Sequence, residues 1–247
     1  GKSLINRKGK VIQLTQAGDD YFRVCADALE RISSVSLHLK EDSNVTLKVI
    51  AQTSIAVDWL TSRIAKFYEA FPKIKLKLMM ESSADSFDAN DFDIVIGTWP
   101  TPDNFVTQPL RKEFWFPVCN PEVARQIDCV DCESLLKVPL YTSENGADWR
   151  FWAQRMQLTM PAANKMQHYG LAILATKTAL TGNGVALSNT FLAEKHIASG
   201  ELVHFPQWQY ELPWGSYQLH YKKNSLHANA VNQFNQWLLA QITQLEQ

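Results

Sequence analysis

Short apolar runs alternate with a longer helical stretch in the first half of the chain, and this alternation limits the fold more than any other feature. Residues 47–51, 74–79 and 92–97 are strand-like runs rich in apolar and β-branched side chains. Residues 55–71 contain neither proline nor glycine and are expected to form a helix. Because strands that alternate with helices usually pair in parallel, these segments predict an α/β fold.

The second half of the chain continues the alternation. Strands are predicted at residues 114–119, 184–187, 202–205 and 216–221, and helices at residues 149–155, 171–180, 190–199 and 228–245. Residues 216–221 alternate polar and apolar side chains, which is typical of a strand at the exposed edge of a sheet. Trp149 and Trp152 share a helix face and are expected in the core of this region. A chain of 247 residues can form one large domain or two modest ones.

A long helix is predicted near the amino end. No proline interrupts the chain from Thr15 to about Lys40, and Thr15 is placed to cap the helix. Apolar side chains recur along it at intervals of four and three residues, at Tyr21, Cys25, Ala28, Ile32, Val35 and Leu39. This spacing predicts a coiled-coil seam with a helix of another subunit, and an ordinary surface helix is the alternative. The polar residues 41–44 then predict a hinge.

The amino end is basic, although the chain as a whole is not. Four basic residues, Lys2, Arg7, Lys8 and Lys10, precede the first acidic residue, while the formal net charge is only −1. The overall charge therefore gives no reason to expect nucleic acid or an anionic membrane as a partner of the body of the chain. With neither a long apolar span nor a recognisable signal peptide, a cytoplasmic protein is expected.

The sequence offers little for metal binding or catalysis. Cys129 and Cys132 have the spacing of a metal knuckle or a redox pair, but neither a second cysteine pair nor a nearby histidine pair completes a zinc site. The motifs GxSxG, HExxH and the phosphate-binding glycine loops are absent as well. We therefore expect no metal, no cofactor and no catalytic residues.

Four stretches, taken together and in order, resemble the LysR-type transcriptional regulators. The first is NRKGKVIQLTQAG at residues 6–18, which looks like that family's basic wing hairpin with a glycine tip, followed by the entry into its linker helix. The others are FPKIKL at residues 71–76, DFDIVI at residues 91–96 and TGNGVAL at residues 181–187. The resemblance covers essentially the whole chain and extends to the subgroup that regulates glycine-cleavage and β-lactamase genes.

This resemblance implies two Rossmann-like lobes of the type 2 periplasmic-binding-protein kind, with a ligand cleft between them. Lobe one would comprise residues 47–110 and 210–247, and lobe two residues 111–209. Residues 1–14 would be a remnant of a winged helix-turn-helix, and residues 15–46 the linker helix and hinge. The family's DNA-reading helix should precede Gly1, so the chain is expected to begin at a cut between that helix and the wing.

The resemblance also implies partners. The full-length protein would bind DNA, and Arg7, Lys8 and Lys10 of the wing would contact phosphates without reading base sequence. The chain would also form a homodimer or a homotetramer. It would bind a small anionic metabolite as effector, and RNA polymerase is a further candidate partner.

The effector site is expected where the first predicted strand meets the next helix, at Thr53 and Ser54. Free amides and hydroxyls at such a turn suit a carboxylate or a phosphate, and the resemblance places the effector there. The alternative is that Ser54 only caps the helix. Six more residues are expected in or beside the cleft, namely Thr98, Trp99, Tyr141, His168, Tyr169 and Tyr217. Lobe packing is the alternative for Trp99 and Tyr217, and a solvated loop position is the alternative for His168.

The function expected from this set of features is effector sensing and oligomerisation within a LysR-type regulator. Ligand binding would shift the arrangement of the lobes and, through subunit contacts, the spacing of the DNA-binding ends. A solute-binding protein of a transport system, which has the same two-lobe cleft, is the alternative. Such a protein has no use for a basic hairpin joined to a heptad helix.

Overall fold

The computed structural model describes residues 1–8, 11–38, 44–143, 146–160, 166–211 and 216–246. Strands β1 (Ile5–Lys8) and β2 (Val11–Leu14) pair antiparallel in a hairpin, and helix α1 (Gln16–His38) follows. The Thr15 hydroxyl accepts the Gly18 amide at 3.0 Å, which confirms Thr15 as the cap of this helix. Lys10 and Leu39 lie outside the described residues, and only the backbone is described for Arg7, Lys8 and Val35.

The face of α1 that the heptad spacing selects is largely open to solvent. Tyr21 and Ile32 are 59% and 64% exposed, Ala28 is exposed and Cys25 is half-buried. Three neighbouring apolar side chains, those of Phe22, Val24 and Leu29, are exposed too. Such a concentration of apolar surface on one helix is typical of an interaction surface. No helix in the described ranges has the length and apolar character needed to cross a membrane.

Lobe one is built on a five-stranded sheet with the order β4-β3-β5-β13-β6. Its strands are β3 (Val45–Gln52), β4 (Ile74–Glu81), β5 (Ile94–Gly97), β6 (Phe105–Arg111) and β13 (Tyr217–Lys222). Strand β3 pairs in parallel with both β4 and β5, which confirms the expected parallel pairing. Helix α8 (Ala228–Thr243) covers the sheet with Val231, Phe234 and Leu238, which are buried with Leu47 and Val49 in one cluster.

The expectation that β13 lies at an exposed edge is wrong. It is bonded on both sides, to β5 and to β6, and its residues Leu219 and His220 are fully buried. The edge beyond β13 is formed by β6, which contains Pro109, a residue that a central strand does not accommodate well.

The helix expected over residues 55–71 is interrupted. It consists of α2 (Thr53–Ile55), a π-helical turn (Ala56–Leu60) and α3 (Ile64–Ala70). The Thr61 hydroxyl donates to the Val57 carbonyl, and the Ser62 hydroxyl donates to the Trp59 carbonyl at 2.9 Å. These hydroxyls compete for the carbonyls that a regular helix would use, which accounts for the break.

Lobe two is built on a sheet with the order β11-β7-β10-β8-β9, to which β12 adds by pairing with β7. Its strands are β7 (Phe114–Cys119), β8 (Leu140–Thr142), β9 (Met166–His168), β10 (Val185–Asn189), β11 (Val203–His204) and β12 (Tyr210–Glu211). Its helices are α4 (Pro121–Ala124), α5 (Ala147–Arg155), α6 (Ala172–Thr181) and α7 (Thr190–Ala198). Short 3-10 turns occur at Ala84–Ser86, Ala89–Asp91, Cys132–Lys137, Pro206–Trp208 and Gln244–Glu246.

The predicted tryptophan core of lobe two is confirmed. Trp149 and Trp152 on α5 are both fully buried, and their ring planes meet edge to face. The indole of Trp149 donates to the Tyr141 carbonyl at 2.9 Å, and that of Trp152 donates to the Trp208 carbonyl at 2.8 Å. Their polar atoms are therefore satisfied inside the core.

The chain crosses between the lobes twice. The first crossing lies between Arg111, the end of β6, and Phe114, the start of β7. The second lies between Glu211 and Tyr217, which is later than the expected return to lobe one at residue 210, because β12 still pairs with β7.

Helix α7 of lobe two also contributes to the core of lobe one. Its residue Phe191 is 2% exposed and belongs to the apolar cluster that contains Trp59 and Tyr217. Two ion pairs join the lobes nearby, Arg63 to Glu194 at 3.0 Å and Lys177 to Asp58 at 3.2 Å. The lobes are thus joined by packing as well as by the chain crossings.

Candidate functional site

A cavity of about 250 Å³ lies between the two lobes. It is lined by Gln52, Thr53, Ser54, Ser82, Thr98, Trp115, Ser143, Gly170, Leu171, Ala172, Ile173 and Tyr217. Most of these residues come directly after the carboxyl ends of β3, β4, β5, β8 and β9. Open α/β sheets bind ligands at this edge, because the strands end there and the next helices begin.

The described lining is polar but carries no ionisable side chain apart from Tyr217. Hydroxyl groups come from both lobes, from Thr53, Ser54, Ser82, Thr98 and Tyr217 of lobe one and from Ser143 of lobe two. Leu171 and Ile173 add a short apolar wall. Uncharged hydrogen-bonding groups beside a small apolar wall are typical of sites for small metabolites.

Ser54 contacts Tyr217 instead of capping its own helix. The residue at the cap position of α2 is Gln52, and no side chain caps that helix. The Ser54 hydroxyl makes a short hydrogen bond with the Tyr217 hydroxyl, which also accepts the Asn189 side-chain amide at 3.3 Å. The interpretation of Ser54 as a helix cap is therefore wrong. Burial, reinforced by the charge of Glu113, holds the pKa of Tyr217 far above its ordinary value, so its phenol stays neutral.

Thr98 is fixed by Gln52 across the end of the lobe-one sheet. The backbone amide and the hydroxyl of Thr98 both donate to the Gln52 side-chain oxygen, at 2.9 and 3.1 Å. Since β3 and β5 are neighbours in the sheet, this pair of bonds ties the two strand ends that form the floor of the cavity.

Ser143 is held in position by hydrogen bonds to a buried carboxylate. Asp148 is 5% exposed and accepts hydrogen bonds from the Thr142 hydroxyl, from the Trp149 amide at 2.8 Å, and from the amide and hydroxyl of Ser143 at 2.9 and 3.0 Å. The Ser143 hydroxyl uses its proton in this contact, so it can offer only lone pairs to a ligand.

Helix α6 begins at the cavity without a side-chain cap. Leu171 occupies the cap position and offers no hydrogen-bonding side chain, and the first two helical residues, Ala172 and Ile173, line the cavity. The amides of a first helical turn lack partners within the helix and lie at the positive end of its dipole. This end of α6 therefore adds hydrogen-bond donors without adding a charged side chain.

Four of the predicted site residues line the cavity, and four do not. Thr53, Ser54, Thr98 and Tyr217 are in the lining, whereas Trp99, Tyr141, His168 and Tyr169 are not. Trp99 is only 8% exposed, and its ring packs against Phe87 at 4.9 Å and folds back over Gly97. For Trp99, the alternative of packing within lobe one is therefore the one that the structure supports.

Of the three lobe-two residues outside the lining, two are held by packing and one is exposed. Tyr141 is 2% exposed, and its hydroxyl donates to the Asn183 side chain at 3.1 Å. Tyr169 packs edge-on against Tyr141 with ring centroids 5.6 Å apart. His168 is an exposed residue at the end of β9. Ser143, the first residue beyond the end of β8, lines the cavity instead.

The lining residues that sequence reasoning missed are the start of α6 together with Gln52, Ser82, Trp115, Ser143 and Gly170. Ser82 and Ser143 follow the ends of β4 and β8, which is the same signal that selected Thr53 and Thr98. Trp115 gives no such signal, because it lies inside β7 and not at its end. Its indole N–H is buried and has no hydrogen-bond partner among the described residues.

Glu113 lies on the first crossing between the lobes and is not among the described residues that line the cavity. It is 1% exposed, and one of its carboxylate oxygens accepts the Thr190 amide at 3.1 Å. Burial raises the pKa of its carboxyl group to about 7, against the opposing effects of the Thr190 amide and the Arg111 charge. This carboxyl group therefore changes its charge near neutral pH.

The chain matches the family model described as the LysR substrate binding domain over residues 40–243. It is 24% identical to the glycine cleavage system transcriptional activator of Escherichia coli K12, over 97% of this chain and 79% of that protein. It is 26% identical to the HTH-type transcriptional regulator PerR of the same organism, over 97% of this chain and 80% of that protein.

Solved structures show the same fold. The effector binding domain of AmpR from Citrobacter freundii superposes with a TM-score of 0.65 at 21% identity, covering 81% of this chain and 99% of that chain. CrgA, a LysR-type transcriptional regulator from Neisseria meningitidis, superposes with a TM-score of 0.61 at 19% identity, covering 100% of this chain and 85% of that chain.

The family match covers both lobes and the cavity between them. It favours a regulator over a transport protein with a similar cleft, and the family is not one of enzymes. The chain therefore belongs to the LysR-type transcriptional regulators, and its two lobes form the effector-sensing domain of that family.

Proposed function

We propose that the inter-lobe cavity binds a small carboxylic acid with a short apolar part, and that its occupancy sets the arrangement of the lobes. The observation that carries this proposal is the lining of the cavity by hydroxyl groups of both lobes together with the uncapped start of α6. A volume of about 250 Å³ suits a metabolite of few heavy atoms rather than a large cofactor.

The chemistry of the lining supports an anionic ligand. The amides at the start of α6 and the hydroxyls of Thr53 and Ser54 can donate to a carboxylate, and no acidic side chain belongs to the described lining. Since Ser143 can only accept, the ligand should also carry a donor, such as a hydroxyl or an amino group, on its lobe-two side. Leu171 and Ile173 would contact its apolar part.

A ligand in this position couples the two lobes. It would contact Ser54 and Thr98 on lobe one and Ser143 and Ile173 on lobe two, so its binding energy depends on the distance between them. A ligand shifts a conformational equilibrium only by its difference in affinity for the two states, and a ligand that bridges the lobes has such a difference.

The effect of a changed lobe arrangement on transcription would depend on the other parts of the regulator. We infer that α1 pairs with the same helix of a second subunit to form a dimer or tetramer, which its exposed apolar band supports. The hairpin of β1 and β2 would be the wing, with Arg7, Lys8 and Lys10 on DNA phosphates. A lobe rearrangement would then change the spacing of DNA-binding domains in the cytoplasm and the contact with RNA polymerase.

Propanoate and propanamide, which have nearly the same shape but differ in charge, test the ligand class. We expect chemical-shift titrations to show propanoate binding at the cavity residues and much weaker binding of propanamide. Ser54→Ala and Tyr217→Phe should each lower the affinity for propanoate by about fivefold, which is the effect of one lost hydrogen bond. Ser199→Ala, an exposed serine at the far end of α7, is the matched control. Equal affinity for both probes, or wild-type affinity in both site variants, would contradict the proposal.

A further inference from the structure

Glu113 is a charged residue buried at the joint between the lobes. Its side chain is 1% exposed, and while one carboxylate oxygen accepts the Thr190 amide, the other has no hydrogen-bond partner among the described residues. A buried carboxylate that is only partly satisfied costs stability, and an apolar residue of similar size would fold at least as well. The position of Glu113 is therefore better explained by function than by packing.

The amide that Glu113 accepts starts a series of contacts that reaches the cavity. Thr190 is the first residue of α7, and Asn189 caps that helix by accepting the Leu192 amide at 3.1 Å. The Asn189 side-chain amide donates to the Tyr217 hydroxyl at 3.3 Å, and Tyr217 contacts Ser54. This path runs from the crossing, through lobe two, to the hydroxyl pair of lobe one that lines the cavity.

Several elements place charged or titratable groups around Glu113. Arg111 at the end of β6 favours the carboxylate form, and Tyr217 on β13 stays neutral. Helix α7 contributes only the uncharged Thr190 and Asn189 to this contact, and Lys112 pairs with Glu211 at the nearby surface, at 3.8 Å. Burial outweighs the favourable charge of Arg111, so the carboxyl group titrates with a pKa of about 7. Its charge in turn raises the pKa of Tyr217 and so makes that phenol a weaker donor.

We propose that Glu113 is a positioning residue for the cleft, which holds the Asn189–Tyr217–Ser54 contacts through Thr190 and strengthens the binding of an anionic effector when its carboxyl group is neutral. A neutral carboxyl group no longer repels a nearby anion, and it leaves the Tyr217 hydroxyl a better donor. Effector binding should therefore tighten as the pH falls through neutrality. The inference rests on the proposed effector site.

The test combines amide signals with ligand titrations in wild type, Glu113→Gln and Glu211→Gln. In wild type, the nuclear magnetic resonance signals of the Thr190 backbone amide and the Asn189 side-chain amide should move together with a midpoint near pH 7. The affinity for propanoate should rise about fivefold from about pH 8.5 to about pH 5.5. In Glu113→Gln, the signals of these two amides should not change with pH, and propanoate should bind tightly over the whole pH range. Glu211→Gln, which removes an exposed carboxylate on the neighbouring strand β12, should behave as wild type.

Each other outcome identifies a different failure. If Glu113→Gln keeps the pH dependence of propanoate affinity, or if the Asn189 signal does not follow that of Thr190, the inference is wrong. If Glu113→Gln lowers the affinity for propanoate and for propanamide equally at every pH, Glu113 has only a structural role and the inference is wrong as well. If propanoate does not bind the cavity at all, the proposed ligand class fails, while the two amide signals still decide whether Glu113 controls Asn189.

Discussion

The ring of Phe191, carried by lobe two, lies edge-on to the ring of Tyr217, carried by lobe one, with centroids 4.8 Å apart and planes at 78°. Phe191 meets Trp59 of lobe one in the same way, at 5.2 Å and 75°. Phe191 is thus packed closely between two rings of the other lobe. The same tyrosine forms the hydroxyl pair with Ser54 that lines the cavity.

Phe191→Ala should therefore lower the free energy of unfolding by about 3–5 kcal/mol, because it leaves a cavity where the lobes meet. Urea unfolding followed by tryptophan fluorescence measures the loss. Phe151→Ala makes the same change at a site that is 40% exposed, and it should cost clearly less. Similar losses in both variants would show that Phe191 is not a special contact between the lobes.

The ion pair of Arg63 and Glu194 should contribute a smaller, salt-sensitive amount to the free energy of unfolding. Arg63 places one guanidinium nitrogen 3.1 and 3.0 Å from the two carboxylate oxygens of Glu194, and its guanidinium lies over the Trp59 ring at 4.6 Å. A double-mutant cycle with Arg63→Ala and Glu194→Ala should give a coupling free energy of about 1 kcal/mol that falls as salt is added. A coupling energy near zero at low salt would contradict the prediction.

Arg63→Lys separates charge from geometry at the same position. A lysine keeps the positive charge, but it has no second nitrogen to donate to the Trp59 carbonyl, as Arg63 does at 3.1 Å, and it cannot lie flat on an indole ring. We expect it to recover less than half of the coupling free energy in the same cycle. Full recovery would mean that only the charge matters.

Glu113 should make stability depend on pH in a known direction. The pKa of its carboxyl group is about 7 in the folded chain, whereas the ordinary pKa of an exposed glutamate is 4.5. Between these values the folded state binds more protons than the unfolded state, so the free energy of unfolding falls as the pH rises through this window. The contribution is fully present below about pH 4.5 and is lost above about pH 7, with a total of about 3 kcal/mol.

Glu113→Gln isolates this contribution. The stability of the variant relative to wild type should improve by about 3 kcal/mol between about pH 4.5 and about pH 8, as measured by urea unfolding at each pH. Other titrating groups cancel in the difference between the two proteins. A difference that does not change with pH would show that Glu113 titrates normally.

The last prediction concerns the heptad face of α1 as a subunit interface. Ile32→Glu places a charge on the exposed seam and should dissociate the oligomer, which light scattering after size exclusion detects. Ala26→Glu introduces the same charge on α1 at an exposed position outside the seam and should leave the mass unchanged. An oligomer that survives Ile32→Glu would remove α1 from the subunit interface.

Local signals in the sequence predicted most of the elements but not their neighbours. The cap at Thr15 and the buried face of Trp149 and Trp152 depend on residues close in the chain, and both predictions are confirmed. The alternation in β13 could not show that its partner β6 comes from more than a hundred residues earlier. That partner was itself overlooked, because Pro109 hides a strand that only an edge position allows.

The candidate site was predictable where it depends on strand ends and not where it depends on side-chain direction. Thr53 and Thr98 follow the ends of β3 and β5, and a parallel sheet brings such ends together. Tyr141 and Trp99 were placed in the cleft from their positions in the chain, but packing of their rings turns both into the lobe cores. The uncapped start of α6 became visible only once the fold had placed it at the cavity.

The central position of β13 has a consequence for synthesis on the ribosome. All strands of lobe two lie between Phe114 and Glu211, so its sheet can be completed before β13 has been made. Lobe one begins first but stays open between β5 and β6 until Tyr217–Lys222 emerges to fill the gap, and α8 follows only afterwards. The sheet of the middle part of the chain is thus the first to be completed, and the nascent edges of β5 and β6 are the surfaces that need protection from aggregation in the interval.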